Sequence, residues 1–128
     1  MNVIDRIQGI LENDMLLATL LSTYKGFRAI AQENAPKKMN MPYIVMRNES
    51  DTQEANELLN RLVLSIDVFA ENNKSTVYAI YKRLKDLLHR RRLMPDGIIS
   101  ILDRATPIES QDPSVFGLNV KFIIRYEL

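Results

Sequence analysis

The chain has 128 residues, of which 46% are hydrophobic and 26% charged, a balance that suits one folded core and excludes both a disordered segment and a fibrous repeat. Seventeen Lys and Arg against sixteen Asp and Glu leave a formal charge of +1, so the surface as a whole is not built to condense on nucleic acid or anionic lipid. No cysteine is present, which removes disulfides, thiolate nucleophiles and thiolate metal sites from consideration.

The opening Met1 to Arg6 puts Asp5 and Arg6 where a signal peptide needs an apolar run, and no later run is long enough for a bilayer. The expectation is a protein neither exported by that route nor embedded in a membrane. Val3, Ile4, Ile7, Ile10 and Leu11 recur at helical spacing. Asn13 and Asp14 then offer a cap that ends this helix and starts a second, short one through Met15, Leu16, Leu17, Leu20 and Leu21. Tyr24, Lys25 and Gly26 close a turn, and Phe27 to Ala31 reads as a short strand.

Residues 31–42 carry Asn34, Pro36, Asn40 and Pro42 among lysines and methionines, the composition of an irregular loop. Tyr43 to Arg47 is β-branched and aromatic and predicts a strand, with Pro42 tolerated just ahead of the ladder. Glu49 to Asn60 is acidic and polar, and within it Ser50 to Glu57 reads as a long tongue between two strands, a kind of connection that often carries binding function. From Arg61 to Ala70, Leu62, Leu64, Ile66 and Val68 share one face and Val63, Ser65, Asp67 and Phe69 the other.

Asn72, Asn73 and Ser75 are candidate caps for a helix whose stripe is Val77, Ile80, Tyr81, Leu84, Leu87 and Leu88, ending near Arg92. Pro95 to Gly97 signals a turn, Ile98 to Leu102 a strand, and Pro107 with Gln111, Asp112 and Pro113 the next connection. The strict alternation of Phe116, Leu118, Val120, Phe122, Ile124 and Tyr126 with a mostly polar set predicts a long strand with one face on a core. The element order implies an α+β fold over residues 1–128: a mainly antiparallel sheet with two main helices on one face, a two-layer sandwich.

Residues that carry chemistry are sparse. His89 stands alone in Leu88 to Arg92 near a helix C-terminus, where a solvated imidazole suits the dipole better than a general base. No nucleophile elbow or phosphate-binding glycine loop is present in the sequence. Asp67, Glu71, Asp103 and Glu109 could bind magnesium for nuclease chemistry only if the fold brought them together. Lys82, Arg83, Lys85, Arg90, Arg91 and Arg92 give the 75–92 helix a basic face and end; this supports, as the alternative function, a small nucleic-acid-binding module. The competing reading is a wet, dipole-complementing helix end.

The order of segments resembles the tail-completion or tail-terminator proteins of long-tailed phages, a family carried also by prophages. The likeness runs through the N-terminal helical pair, Met41-Pro42-Tyr43-Ile44-Val45, the strand Leu62 to Ala70, the helix after Asn72-Asn73 and the closing strand Gly117 to Phe122. It implies a non-enzymatic virion protein of the tail or neck, made in the bacterial host cytoplasm and needing no cofactor. It further implies a ring homo-oligomer, commonly a hexamer, that ends tail-tube growth or joins tail to head, with tail-tube and connector proteins as partners. On physical grounds the tongue, Asp51, Thr52, Gln53, Glu54 and Glu57, is the expected subunit interface. If the ring encircles DNA, Lys82, Arg83, Arg90, Arg91 and Arg92 are the expected DNA-facing residues.

Overall fold

The computed structural model describes residues 3–37, 39–53, 59–94 and 98–127. Helix α1 (Val3–Glu12) buries Val3, Ile4, Ile7 and Leu11 on one stripe. The break expected at Asn13-Asp14 is there: the Asp14 carboxylate accepts from the Leu17 N–H at 3.0 Å and caps α2 (Met15–Leu20).

The single strand expected from Phe27 to Ala31 is divided. β1 (Thr23–Tyr24) and β2 (Phe27–Arg28) form a hairpin of their own, and β3 (Ile30–Gln32) then joins the main sheet. Ala29 is the pivot: its N–H donates to Ser22 O and its carbonyl accepts from Ile44 N, both at 2.9 Å, so its two sides serve different sheets. Lys25 (φ 51) and Gly26 (φ 84) are both left-handed, the condition for a tight two-residue hairpin turn matching strand twist.

The tongue requires a correction. β4 (Tyr43–Gln53) continues through the polar stretch, and β5 (Leu59–Glu71) runs antiparallel to it, with Asp51, Thr52 and Gln53 opposite Leu62, Arg61 and Asn60. A register shift between Asn48 and Ser50 disturbs the alternation there, so the pattern looks loop-like although the backbone stays in the ladder. Glu54 and Glu57 lie outside the described residues.

Helix α3 (Lys74–Leu88) starts on the Asn73 cap, whose side chain accepts from Ser75 N at 3.1 Å, and buries Val77, Ile80, Leu84 and Leu88. It stops at Leu88 and not near Arg92, because Arg90 takes a left-handed φ of 55 and sends the chain into β6 (Arg91–Met94). The expected Pro95 to Gly97 turn lies outside the described residues. β7 (Ile98–Ile108) runs past Leu102 and through Pro107, where the sequence suggests a connection. β6 flanks β7 only as far as Ser100, so Pro107 sits on an edge, where a missing N–H is tolerated. β8 (Val115–Glu127) is the expected long strand.

The main sheet has six strands in the order β3-β4-β5-β8-β7-β6. The β3–β4 pair is parallel and the remaining pairs antiparallel, so the architecture is α+β with a mixed, mainly antiparallel sheet. The helices cover one face, and the core between them takes Leu62, Leu64, Ile66 and Val68 from β5 and Leu118, Val120, Phe122 and Ile124 from β8.

Candidate assembly surfaces

Among the described residues no helix lies on the other face of the sheet, and its side chains come from the alternate positions of the same strands. Asp67 on β5 is ion-paired with Arg47 on β4 and accepts from Asn119 Nδ2 at 2.6 Å; Asn119 Nδ2 also donates to Ser65 Oγ at 2.7 Å. Lys121 Nζ meets Glu49 at 3.0 Å. These side chains and Phe69 line an open groove of about 520 Å³. Tyr43 packs against Phe69 with ring centroids 5.4 Å apart. Burial, and secondarily the charge of Asp67, pushes the Tyr43 hydroxyl pKa up. Asp67 is 8% exposed and spent on its partners, so the groove offers hydrogen-bonded walls and not a free acid.

The four carboxylates considered for magnesium are spread out. Asp67 is at the middle of β5, Glu71 at its end, Asp103 at the register shift of β7 and Glu109 just beyond that strand. Among the described residues no three His, Asp or Glu side chains are grouped to hold a metal ion.

The expected interface and DNA-facing residues fall on different elements. Asp51 accepts from the Tyr126 hydroxyl at 2.9 and 3.0 Å, and that oxygen accepts in turn from Asn60 Nδ2 at 3.2 Å, which ties the β4 end to β5 and β8. Burial foremost, with the Asp51 carboxylate adding to it, raises the Tyr126 pKa against the opposing Asn60 hydrogen bond. Of the basic set, Lys82 is exposed on α3 and Arg90 sits in the turn after it. Arg91 and Arg92 are on β6, where Arg91 Nε donates to the Asp86 carbonyl at 3.2 Å. Arg83 is held by Asp14, with Nε to Oδ2 at 2.9 Å and Nη2 to Oδ1 at 2.6 Å. No continuous basic helix face of 75–92 forms.

Three features escape sequence reasoning. The Asp14 to Arg83 pair couples the α2 cap to α3 and holds the Asp14 carboxyl below its ordinary pKa, mainly through the Arg83 hydrogen bonds. His89 is half-buried, and its Nδ1 accepts from the Leu102 N–H at 2.9 Å, on the side of β7 that β6 flanks only as far as Ser100. Phe27 is 70% exposed at the hairpin, although aromatic residues of its kind usually seek the core. The local signals near them are the Asn13-Asp14 cap and the Lys25-Gly26 turn, and neither gives the partner or the exposure.

Compared with solved structures, the chain superposes on a chain from the virion of a native gene transfer agent particle with a TM-score of 0.79 and 17% identity, covering 98% of this chain and 95% of that one. At that identity the likeness is one of fold. The chain matches no protein-family model and no curated protein. Among the described residues no helix is long and apolar enough to cross a membrane.

Proposed function

We propose that this chain is a structural subunit of a phage-like virion that closes with copies of itself into a ring, ending the tail tube or joining tail to head. The observation that carries this reading is the fold likeness, over nearly the full length of both chains, to a chain of a gene transfer agent virion. The sheet adds support: one face lacks a helical cover, and short β3 and β6 leave its two flanks exposed to neighbours.

In this reading the protein is not an enzyme, and its partners are other copies of itself, tail-tube protein and connector protein. Asp51, Thr52 and Gln53, in the strand-paired end of β4, are together with Glu54 and Glu57 the residues that contact a neighbouring subunit. Lys82, Arg90, Arg91 and Arg92 are the cations offered to DNA passing through the ring, whereas Arg83 is committed to Asp14. Light scattering across a concentration series should show a closed multi-subunit species. A strict monomer that also fails to bind tail-tube protein overturns the proposal.

A further inference from the structure

The corner where α3 gives way to β6 is fastened to the sheet by few bonds. His89 N–H still donates to the Lys85 carbonyl at 2.9 Å, as a helical residue does. Arg90 then takes a left-handed φ of 55, a conformation that costs backbone energy in a residue with a side chain and lasts only where its surroundings hold it. From there the chain enters β6, the outermost strand in the sheet order, which among the described residues pairs with β7 alone.

Two residues of β7 meet this corner. Ser100 and Leu102 are two positions apart, so their backbone groups point to the same side of the strand, away from β8. The Ser100 carbonyl accepts from Arg90 N–H at 2.8 Å. The pairing of β6 with β7 reaches no further than Ser100, and the Leu102 N–H donates to His89 Nδ1 at 2.9 Å. An imidazole thus stands where the carbonyl of a flanking strand would otherwise be, and it extends the cover of the β7 edge by one step.

A backbone carbonyl accepts at any pH, and an imidazole does not. Nδ1 accepts only through a bare lone pair, which requires the neutral ring with its proton on Nε2; the imidazolium donates at both nitrogens and accepts at neither. The ring is half-buried, so water can deliver that proton. The charged groups on the elements that meet here are Lys85 and Asp86 of α3, Arg90 in the turn, Arg91 and Arg92 of β6, and Asp103 and Arg104 of β7. Among side-chain types, histidine is the one that ordinarily changes charge between pH 8 and pH 5, and the chain has a single histidine.

We propose that His89 is a proton-operated latch on the corner between α3 and β6. The neutral ring fastens the corner to β7. Protonation at Nδ1 breaks that bond, frees the Leu102 N–H, loosens the Arg90 turn with β6, and uncovers the outer edge of β7 for pairing with another strand. Because the bond exists only with the neutral ring, the latch is closed at the alkaline end of the range and open at the acid end. It holds for the single chain and does not depend on the ring reading.

Amide exchange followed by NMR on the full-length chain at pH 8 and pH 5, each rate corrected for the intrinsic rate at that pH, reads the latch directly. Protection of the Leu102 amide should fall about tenfold on acidification, the scale of one lost hydrogen bond, while that of Val120 in the middle of the sheet stays level. The nitrogen-15 shifts of His89 at pH 8 should place the ring proton on Nε2. His89→Asn sets an amide oxygen near the position of Nδ1 and does not titrate, so Leu102 should stay protected at both pH values. His89→Leu has no acceptor and should leave it poorly protected at both. Equal protection of Leu102 in the wild type at the two pH values overturns the latch. So does a loss on acidification that His89→Asn retains, because the neighbouring charges would then be its cause. A parallel fall at Val120 is global acid unfolding, and a ring proton on Nδ1 at pH 8 removes the acceptor; either result overturns the proposal on the wild type alone.

Discussion

On the helix-covered face of β5 and β8, Leu62, Leu64, Ile66, Val68, Leu118, Val120, Phe122 and Ile124 are all apolar and at most 3% exposed. On the opposite face the same two strands carry Val63, Ser65, Asp67, Phe69, Asn119, Lys121 and Ile123, and yet Ser65 and Asp67 are only 3% and 8% exposed. Val63, Phe69, Asn119, Lys121 and Ile123 are half-buried, so the open face is shallower in general, but at Ser65 and Asp67 it is as deep as the covered one. The covered face is closed by interlocking side chains from α1, α2 and α3, and the open face by long side chains of neighbouring strands that lie across it and bond to one another. The first kind of burial is costly to disturb because no partner remains for the lining atoms; the second is replaceable by water. A surface of the second kind can be covered and uncovered during assembly, and one of the first kind cannot.

The largest test of this contrast is Phe122→Ala, at a fully buried site of the covered face. It should cost about 4 kcal/mol in urea unfolding, from lost transfer energy plus a residual cavity. A loss under about 1 kcal/mol would show that the helices do not seal this face.

Gly117 sets a limit on how loosely the open face is built. A Cβ there would come within 3.0 Å of Ile108 Cβ and Phe69 Cε1, so Gly117→Val should cost about 2 kcal/mol by overpacking. If that variant is as stable as the wild type, Phe69 and Ile108 move aside freely and the open face is less ordered than described.

The helical layer is tied by charge as well as by packing. Asp14→Ala removes both the α2 cap and the partner of Arg83 and should cost about 2 kcal/mol at pH 7. Asp14→Asn keeps the cap and should cost roughly half of that. The folded-state pKa of Asp14 is lowered. Its stabilisation is therefore complete above the unfolded carboxyl value of about 3.9, is lost as pH falls through the folded value, and is absent below it. The gap between wild type and Asp14→Asn, followed by urea midpoints from pH 6 to pH 2, should close. A constant gap would assign the effect to shape and not to charge.

The smallest effect is expected at Ile101, which is 37% exposed on the open face. Ile101→Thr should change stability by less than about 0.5 kcal/mol. A larger loss in the isolated chain would mean that the open face is already closed against something, and repeating the measurement across protein concentrations would identify that something as a second copy.

Much of the framework was readable from the sequence. Strict alternation from Phe116 to Tyr126 can only be a half-buried strand, and the stripe from Val77 to Leu88 only an amphipathic helix, because these periods follow from backbone geometry alone. The Asn13-Asp14 break and the Asn73 cap were equally legible, since a cap acts within three residues of itself. Tertiary structure decided what local pattern leaves open. The polar stretch from Glu49 to Gln53 is a strand because β5, the next strand in the chain, folds back on it and supplies its ladder partners. The arginines after Leu88 leave the helix because Arg90 turns and β7 receives β6, and Pro107 stays in a strand because β6 has already ended beside it.

The same division holds for the surfaces. His89 and Asp14 are satisfied by Leu102 and Arg83, 13 and 69 residues away, and no window of sequence contains those pairs. That Phe27 stands outside, on a hairpin beside the β3 flank of the main sheet, follows from how β1 and β2 pair with each other and not with that sheet. Composition and period determined which elements this chain makes, because they act over a few residues; the pairing of distant strands determined which side chains face outward together, and with them the surfaces available for assembly.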